Sequence, residues 1–423
     1  MNSELKPKIR FKGFTDDWEQ RKLDDMCSII TKQTGFDYSA TIKPSLLNEK
    51  NDKSYSFIQN KDFSGMNINL DTDFYIPIDV AKKFPKIMID TPSLLISISG
   101  KIGNVGFYDK NKVSFIGGAV GICKLTNPKN GELYVYELES EYGQKYFQSL
   151  IKASSHANIT VEDIRNINVI QPKDNDEILK ISKFLKNVDS LITLHQRKCD
   201  KLVELKKSLL EKMFPQNNSV IPEIRFKGFT NDWEQRKFDT LAKVDRGLTY
   251  SPNNLANNGI RVLRSSNIND DQFKLYDEDV FVTPNSINIE YANNNDILIT
   301  SANGSSRLVG KHTIIKGISS GSTVHGGFML LARPYINSHF LNASMSSSWY
   351  KKFIDLYVAG GNGAIGNLSK TDLDNQIVNI PNESEINKIG DLFKNIDNLI
   401  TLHQCKYDKL NKIRQSLLND MFI

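Results

Sequence analysis

The fold of this chain is decided by a stretch that occurs twice: IRFKGFTDDWEQRK at residues 9–22 and IRFKGFTNDWEQRK at residues 224–237. The two copies differ only where Asp16 of the first is replaced by Asn231 of the second. A second pair closes each copy, KNVDSLITLHQ at residues 186–196 and KNIDNLITLHQ at residues 394–404. A repeat of roughly two hundred residues indicates a duplicated domain, because solenoid repeats are several times shorter.

The middles of the two copies share only a skeleton. Gly117 and Gly118 correspond to Gly326 and Gly327, and the second middle is shorter by about six residues. Similar ends around different middle segments predict that the ends form a common framework that binds a shared partner. Each middle segment is then predicted to recognise a different target. Ordinary drift after duplication is the alternative interpretation.

The closing stretches are predicted to be long helices. Apolar residues recur there with a period near 3.5, which is typical of a helix that packs along another helix. The seam positions, predicted to pack against a helix or a partner, are Val188, Leu191, His195, Leu202, Leu205 and Leu209, and then Ile396, Leu399, His403, Leu410, Ile413 and Leu417. Neither helix is long enough to stand alone, so we expect the two to pack antiparallel about a pseudo-two-fold axis.

The middles are predicted to be mixed α/β globules. Short apolar runs bounded by glycine at residues 93–98, 119–123, 296–300 and 328–331 indicate strands. Thr160 and Ser369, each followed three residues later by an aspartate, are typical of helix caps. The predicted fold class is therefore α+β, with mixed α/β domains at 1–175 and 222–382 and helical spacers at 176–221 and 383–423.

Composition narrows the class of protein. The 423 residues are 39% hydrophobic and 24% charged, which predicts a globular chain of two or more domains. We find no apolar stretch typical of a signal peptide or a membrane span, and four scattered cysteines suit reduced thiols in the cytoplasm. A net charge of +5 permits a nucleic-acid partner without requiring one.

Catalytic and metal motifs are weak or missing in the sequence. Residues 361–366 satisfy GxGxxG, but no long helix follows and the first copy has no counterpart. There is no phosphate-binding loop ending in Gly-Lys-Ser/Thr, and the six histidines do not cluster at metal-ligand spacing. We therefore predict no catalytic residue, no metal site and no cofactor bound by this chain.

The loops of the middles are the candidate reading surfaces. Residues 99–104 and 301–307 mix glycine with Ser, Asn and one cation, a composition that lets the backbone approach phosphate and offers groups that distinguish base edges. An ordinary turn has the same composition. The candidate DNA-binding residues are Ser99, Lys101, Asn104, Lys124, His156, Asn158, Arg264, Asn303, Ser305, Arg307, His325, Arg333, Asn362 and Asn367. Trp18 and Trp233 are instead expected to pack structurally.

The layout resembles the specificity subunits of type I restriction–modification systems over essentially the whole chain. The resemblance rests on PKIRF at residues 7–11 with Trp18, on PEIRF at 222–226 with Trp233, and on the helical repeats that end in SLLEKMF and SLLNDMF. It implies two target recognition domains, each reading one half of a split DNA sequence, and helices that act as a spacer. It also implies two methyltransferase subunits that carry S-adenosylmethionine, and restriction/translocase subunits that use ATP and Mg²⁺.

Alternatives from other classes stay open at this point. A free-standing DNA-binding regulator would bind its sequence without a methyltransferase partner. A single-chain restriction or modification enzyme would need catalytic motifs that the sequence does not contain. A scaffold that does not act on DNA is the third alternative. It would be favoured if binding affinity did not fall steeply as the salt concentration rises.

Overall fold

A computed structural model shows two compact units that share the two long helices of the chain. The structure describes residues 5–153, 158–216, 219–269, 271–358 and 367–422. Unit 1 comprises Met1–His195 and Cys405–Ile423, and unit 2 comprises Gln196–Gln404. The boundaries fall inside the helices, so each unit contains its own globular part and a segment of both helices.

The described residues of unit 1 form twelve short strands and a set of helices. The strands are β1 (Glu19–Lys22), β2 (Cys27–Lys32), β3 (Ser54–Ile58), β4 (Phe63–Ser64), β5 (Asn67–Ile68), β6 (Tyr75–Pro77), β7 (Met88–Ile89), β8 (Ser93–Ser97), β9 (Val105–Tyr108), β10 (Ser114–Ile116), β11 (Val120–Leu125) and β12 (Asn168–Gln171). The helices are α1 (Gly35–Asp37), α2 (Ile78–Ala81), α3 (Gly131–Glu139), α4 (Glu141–Ala153), α5 (Val161–Arg165) and α6 (Asn175–Lys212), which continues into unit 2.

The centre of unit 1 is an antiparallel sheet with the strand order β2-β11-β8-β9. A second sheet, β6-β3-β10-β7, contains one parallel pair, β3 with β10. Every residue of β8, β9, β10 and β11 is buried, which explains why these strands read as continuous apolar runs rather than alternating ones. A two-stranded ribbon, β1 with β12, joins the start of the unit to its exit.

Unit 2 repeats the central elements of unit 1. Its strands are β13 (Glu234–Lys237), β14 (Ala242–Arg246), β15 (Leu255–Leu263), β16 (Ile268–Asn269), β17 (Gln272–Phe273), β18 (Val280–Val282), β19 (Ile297–Thr300), β20 (His312–Ile314), β21 (Thr323–His325), β22 (Met329–Pro334) and β23 (Ile377–Ile380). Its helices are α7 (Ser338–Met345), α8 (Ser348–Val358), α9 (Lys370–Asp374) and α10 (Glu383–Met421), which continues into unit 1.

The topology of unit 2 matches that of unit 1 strand for strand at the centre. The central sheet has the order β14-β22-β19-β20, and the second sheet, β18-β15-β21, again has one parallel pair, β15 with β21. The ribbon β13 with β23 repeats β1 with β12. Two middles with little sequence in common therefore adopt one fold, which confirms the predicted α+β class with two mixed domains and two long helices.

The repeated opening stretch is explained by a buried ion pair that sequence reasoning missed. In unit 1 the guanidinium of Arg10 donates two hydrogen bonds to Glu177 in the first turn of α6, at 2.6 and 2.7 Å. In unit 2 Arg225 binds Glu385 of α10 in the same way, at 2.9 and 2.7 Å. Both carboxylates are fully buried, so each pair fixes the start of the unit to the start of its exit helix.

Each unit closes around a tryptophan and the end of a helix. Trp18 is 2% exposed and lies edge-on to Phe422, and Trp233 is 3% exposed and lies edge-on to Phe214. Phe214 follows α6 and Phe422 follows α10, so each unit buries the end of the helix that began in the other half of the sequence. The expectation that both tryptophans pack structurally is confirmed.

Within each unit the two helix segments run antiparallel, as predicted. In unit 2 Lys206 pairs with Asp397 at 2.7 Å, and Cys199 lies 3.7 Å from Gln404. In unit 1 Arg414 pairs with Asp189 at 2.6 Å, and Leu185 and Leu418 share one apolar cluster. In both units the residue numbers rise along one helix as they fall along the other.

A third of the predicted seam positions do not lie on the seam. Buried and half-buried residues recur every three or four positions at 188, 192, 195, 199, 202, 206, 209 and 213 in one helix and at 396, 400, 403, 407, 410, 414, 417 and 421 in the other. The seam therefore includes the predicted Val188, His195, Leu202, Leu209, Ile396, His403, Leu410 and Leu417. The other predicted members, Leu191, Leu205, Leu399 and Ile413, are 46%, 47%, 43% and 41% exposed.

The error has a physical cause. The apolar pattern favoured Leu191, Leu205, Leu399 and Ile413, whereas the seam contains the residues that follow them, Ile192, Lys206, Ile400 and Arg414. Two of these four are cations that find acidic partners, so polar pairing substitutes for apolar packing. Leu191, Leu205, Leu399 and Ile413 therefore face outward.

Short-range sequence signals were reliable. The four predicted strands correspond to β8, β11, β19 and β22. Thr160 and Asp163 form a reciprocal capping box at α5, and the Ser369 side chain accepts a hydrogen bond from the backbone N–H of Asp372 at α9. These features depend on neighbouring residues alone, which is why the sequence predicts them.

Candidate nucleic-acid interface

One end of the central sheet of unit 1 gathers four connecting segments. Val120 pairs with Ser97 and Gly121 with Lys32, so β2 and β8 end where β11 begins. The backbone N–H of Ile159 donates to the carbonyl of Ile98, which brings the segment before α5 to the same place. We call residues 33–38, 98–104, 117–119 and 158–160 edge 1.

The same end of the central sheet in unit 2 gathers the corresponding segments. Thr300 pairs with Met329 and Arg246 with Leu330. The backbone N–H of Leu368 donates to the carbonyl of Ser301, the counterpart of the bond between Ile159 and Ile98. We call residues 247–250, 301–311, 326–328 and 367–369 edge 2.

The 98–104 loop of edge 1 has a defined shape. Gly100 and Gly103 have φ of 72° and 82°, a left-handed conformation that favours glycine. The side-chain amide of Asn104 donates to the carbonyls of Asn60 and Phe63, at 3.0 and 2.6 Å. Asn104 therefore holds the loop in place, and its two amide hydrogens are used within unit 1.

The remaining predicted residues of edge 1 divide into a cation, an amide and a backbone anchor. Lys101 and Asn158 are exposed, and a β-bridge joins Asn158 to Ser99. The carbonyl of Ser99 accepts a hydrogen bond from the Asn60 amide at 3.1 Å. The fold thus brings Ser99, Lys101, Asn104 and Asn158 together, with Lys101 and Asn158 presented to solvent.

Edge 2 presents arginines where edge 1 presents a lysine. Arg307 is exposed on a short 3-10 turn, Ser306–Leu308. Asn303 accepts from the backbone N–H of Ser305 and donates to the Ser265 hydroxyl, both at 2.9 Å, which shapes the loop. Arg264 is exposed beside this loop, because the backbone N–H of Gly326 donates to the carbonyl of Leu263. Asn367 is exposed at the same edge.

Three predicted DNA-binding residues are instead structural, and their prediction was wrong. Lys124 is 6% exposed, and its ammonium donates to Asp90 at 2.6 Å and to the carbonyl of Pro85. Arg333 is largely buried and binds Asp245 and Asp296 at 2.9 and 3.0 Å. Both cations lie inside central strands, where the sequence alone cannot distinguish a buried ion pair from an exposed contact.

His325 is fully buried and is the third correction. Its Nε2–H donates to the carbonyl of Asp245 at 3.3 Å. Burial lowers the pKa of His325 from its usual 6.5 to about 4, so the ring is neutral near pH 7. A neutral, buried imidazole offers nothing to a base edge or a phosphate.

Two predicted residues, His156 and Asn362, lie outside the described residues, as does the GxGxxG stretch. The four cysteines are free thiols. In the part of the chain that the structure describes, no group of three or more His, Cys, Asp or Glu side chains is arranged to hold a metal ion. No described helix is long and apolar enough to cross a membrane.

Sequence reasoning missed several residues at the edges. Lys32 and Arg246 end the first strand of each central sheet and reach edge 1 and edge 2. Phe36 and Phe328 are 81% and 74% exposed at the two edges. Only the strand register identifies them, since a phenylalanine in a loop is usually assumed to be buried.

The helices carry a second exposed surface that occurs twice. Leu191, Leu194 and Leu205 correspond by repeat position to Leu399, Leu402 and Ile413. All six are between 41% and 47% exposed. Large apolar side chains that face solvent at repeated positions are typical of surfaces that bind a protein partner.

Comparison with known proteins identifies the family. A family model described as the type I restriction modification DNA specificity domain matches residues 15–204 and 230–412. The type I restriction–modification system S subunit from M. genitalium is 17% identical, with a TM-score of 0.60 and coverage of 99% of each chain. A chain from a structure described as the structural basis of complex assembly and conformational transition of the type I R-M system is 13% identical, with a TM-score of 0.50. It covers 95% of this chain and 96% of that one.

At these sequence identities the solved structures establish the fold alone, whereas the match to the family model spans most of both repeats. The chain therefore belongs to the family of type I restriction–modification specificity subunits.

Proposed function

We propose that the chain directs a restriction–modification complex to a two-part DNA sequence, with edge 1 reading one half and edge 2 the other. The observation that carries this proposal is the recurrence of one sheet end in both units with different side chains on it. Edge 1 offers Lys101 and Asn158, whereas edge 2 offers Arg307 and Asn367. A common frame with different readers suits a target whose two halves differ.

The chemistry of the edges fits this role. Arginine and lysine bind guanine edges or phosphates, and asparagine binds adenine edges. Arg307 and Lys101 are the exposed cations on the loops that the strand register brings to the edges. They are the side chains that we expect to touch bases, while Asn104 and Asn303 shape the loops around them.

The chain is proposed to act without catalysis of its own and to work in the cytoplasm. Two methyltransferase subunits would bring S-adenosylmethionine and methylate adenine, and restriction/translocase subunits would use ATP and Mg²⁺. α6 and α10 each carry three exposed apolar residues at corresponding repeat positions. This duplication supports the docking of two methyltransferase subunits on the helices. Two equivalent apolar surfaces suit two copies of one partner.

The proposal is tested by mapping adenine methylation across the genome of cells that express the partner methyltransferase, with and without this chain. We expect a new motif of two short half-sites around a fixed gap. A stable complex that produces no new methylation would contradict the proposal and favour a free-standing DNA-binding regulator.

Matched variants assign the half-sites. Arg307→Ala and Lys101→Ala should each cost about 1–3 kcal/mol of binding and relax one position of one half-site. Lys316 and Lys112 are exposed and lie past the opposite ends of β20 and β9, so Lys316→Ala and Lys112→Ala are the controls. Equal effects of the edge variants and their controls would mark a general charge effect instead.

A further inference from the structure

Each edge carries one phenylalanine that the fold exposes almost completely. Phe36 of edge 1 is 81% exposed and Phe328 of edge 2 is 74% exposed, which places both among the most exposed large apolar side chains of the described residues. An isolated surface phenylalanine needs no explanation. Two of them at the same end of two equivalent sheets, beside the cations described above, do require one.

The backbone around Phe36 accounts for the exposure of its ring. The Thr34 side chain accepts a hydrogen bond from the backbone N–H of Asp37, which fixes the turn. Tyr38 and Ile42, one helical turn apart, pack into the core of unit 1, with Ile42 fully buried. Because this helical run commits its inner face to Tyr38 and Ile42, Phe36 projects from the other side.

The backbone of Phe328 is held just as firmly. Its carbonyl accepts hydrogen bonds from the backbone N–H groups of Ser301 and Ala302, at 2.9 and 3.1 Å. The neighbouring backbone is closely packed, since a Cβ added at Gly247 would lie 1.9 Å from the carbonyl oxygen of Gly326. A fixed backbone and a side chain with only two rotatable bonds make a ring whose ordering on binding costs little entropy.

The two rings come from different but neighbouring strands. Phe36 follows β2, and the corresponding residue after β14 is the half-buried Tyr250. Phe328 precedes β22, and the corresponding residue before β11 is Ala119. Each edge therefore has one exposed ring, supplied by one or the other of two adjacent strands.

We propose that Phe36 and Phe328 are apolar wedges that insert against the bases of their own half-sites and partly unstack a base step. The inference rests on the proposed function and names specificity-determining residues for it. Inserted apolar side chains unstack DNA steps most easily at flexible pyrimidine–purine sequences, so a wedge adds selectivity without hydrogen bonds. Lys32 and Arg246, at the ends of β2 and β14, are placed to bind the flanking phosphates.

A protein partner is the less favoured occupant of these rings. The repeated apolar pairs suited to a protein partner lie on the helices, at residues such as Leu191 and Leu399. Phe36 and Phe328 lie among glycine-rich loops that each present one exposed cation, Lys101 or Arg307, and no second apolar residue above 40% exposure accompanies either ring within its edge. A lone ring among polar loops suits a base stack better than a protein groove.

The test uses the full chain assembled with its methyltransferase, on duplexes that contain the recognised motif with 2-aminopurine in one half-site at a time, at purines other than the adenine that the methyltransferase itself flips out of the stack. Unstacking raises 2-aminopurine fluorescence, so we expect brightening in each half-site with the wild-type chain. Phe36→Ala should abolish it in one half-site and Phe328→Ala in the other, each with about tenfold weaker binding of the motif. Tyr335→Ala is the control, because Tyr335 is 66% exposed just past the opposite end of β22.

The outcomes separate this inference from the proposed function. Motif-specific methylation with no brightening, or with both variants binding within twofold of wild type, would overturn the wedge and leave the proposed function standing. Loss of methyltransferase assembly in either variant would show that the ring docks protein, which also overturns the wedge. A wild-type complex without motif preference would overturn both.

Discussion

Units 1 and 2 share one frame, yet they anchor the helix that returns to them differently. In unit 1 the guanidinium of Arg414 binds Asp189 on α6 and Glu139 on α3, both at 2.6 Å, and lies over the ring of Tyr136. In unit 2 the equivalent residue is Lys206, whose ammonium pairs with Asp397 on the facing helix. Unit 1 thus ties the helix to its globular part, whereas unit 2 ties helix to helix.

The difference follows from the chemistry of the two cations. Arginine presents several donors in a planar fork, so it can bind two carboxylates and stack on an aromatic ring at once. Burial lowers the pKa of Arg414, but the hydrogen bond to Asp189 and the charge of Glu139 more than offset this and raise it. Conversely, burial raises the pKa of Glu139 even though Arg414 opposes the shift. The triad is therefore sensitive to the loss of any member.

A second contrast concerns buried titratable groups. His325 of unit 2 occupies the repeat position of Ile116 in unit 1. Conversely, Glu137 of α3 in unit 1 is 1% exposed, and its counterpart in unit 2 is Ser344 of α7. The two residues correspond because each lies the same number of positions after the residue that precedes its helix. Each unit therefore carries at least one buried ionisable group where the other carries a neutral side chain.

The largest expected effect tests what the units have in common. Arg10→Ala and Arg225→Ala leave the fully buried Glu177 and Glu385 without their partners, so each should destabilise its own unit by about 3–5 kcal/mol. Hydrogen exchange of the full chain, read separately for peptides of units 1 and 2, measures this. Lys12→Ala and Lys227→Ala, at exposed positions of the same repeat, are the controls. Unequal losses of stability in the two units would show that the ion pair does not contribute equally to both.

The next effect tests where the units differ. Arg414→Ala should destabilise unit 1 by about 2–3 kcal/mol, because Glu139 and Asp189 lose a partly buried partner. Lys206→Ala should cost about 1 kcal/mol or less, since Asp397 is 35% exposed and water can replace the ammonium. The same hydrogen-exchange measurement compares them. Equal losses would mean that the contact with Glu139 adds nothing.

His325 and Glu137 should make the stability of units 2 and 1 respond to pH in opposite directions. Folded His325 has a pKa of about 4, below its usual 6.5, so the unfolded chain binds a proton that the folded unit 2 refuses. Stability is then full above pH 6.5 and falls by about 2–3 kcal/mol as the pH drops towards 4. His325→Ile, which copies unit 1, should remove this loss in urea unfolding at pH 5 relative to pH 7.5.

For Glu137 the sign is reversed. Burial raises its pKa well above the usual 4.5, although the backbone N–H of Ile170 opposes the shift. The folded unit 1 therefore keeps a proton that the unfolded chain releases, and its stability falls as the pH rises above 4.5. Glu137→Gln, which keeps an acceptor for Ile170, should make the stability of unit 1 less dependent on pH. An unchanged pH profile would show that the carboxyl is ionised in the folded chain.

The smallest effect on stability is expected at the exposed leucines. Leu191→Ser and Leu399→Ser should change the free energy of unfolding by less than about 0.5 kcal/mol, because both side chains are nearly half exposed. Each should nevertheless weaken binding of the methyltransferase, measured by titration of the purified subunits. Leu255→Ser, at a 50% exposed position in unit 2, is the control. Equal binding by all three variants would place the docking surface elsewhere.

The candidate interface was only partly predictable. Lys101, Asn158, Arg307 and Asn367 were named from loop composition, and the fold exposes them at the edges. Lys124 and Arg333, the cations that end matching apolar runs, were also named and are buried in ion pairs, because the sequence does not reveal which face of a strand a cation occupies. Phe36 and Phe328 were missed, since their exposure depends on segments distant in the sequence.

The sequence by itself determined the duplication, the family, the long helices, the central strands and the helix caps. All of these are encoded by repetition, periodicity or residues a few positions apart. Only the tertiary structure decided which face of each helix forms the seam, which cations are buried, and that Arg10 meets Glu177 and Arg225 meets Glu385. Those outcomes depend on which distant carboxylate or apolar surface a side chain meets when the chain closes on itself, and local sequence carries no record of that encounter.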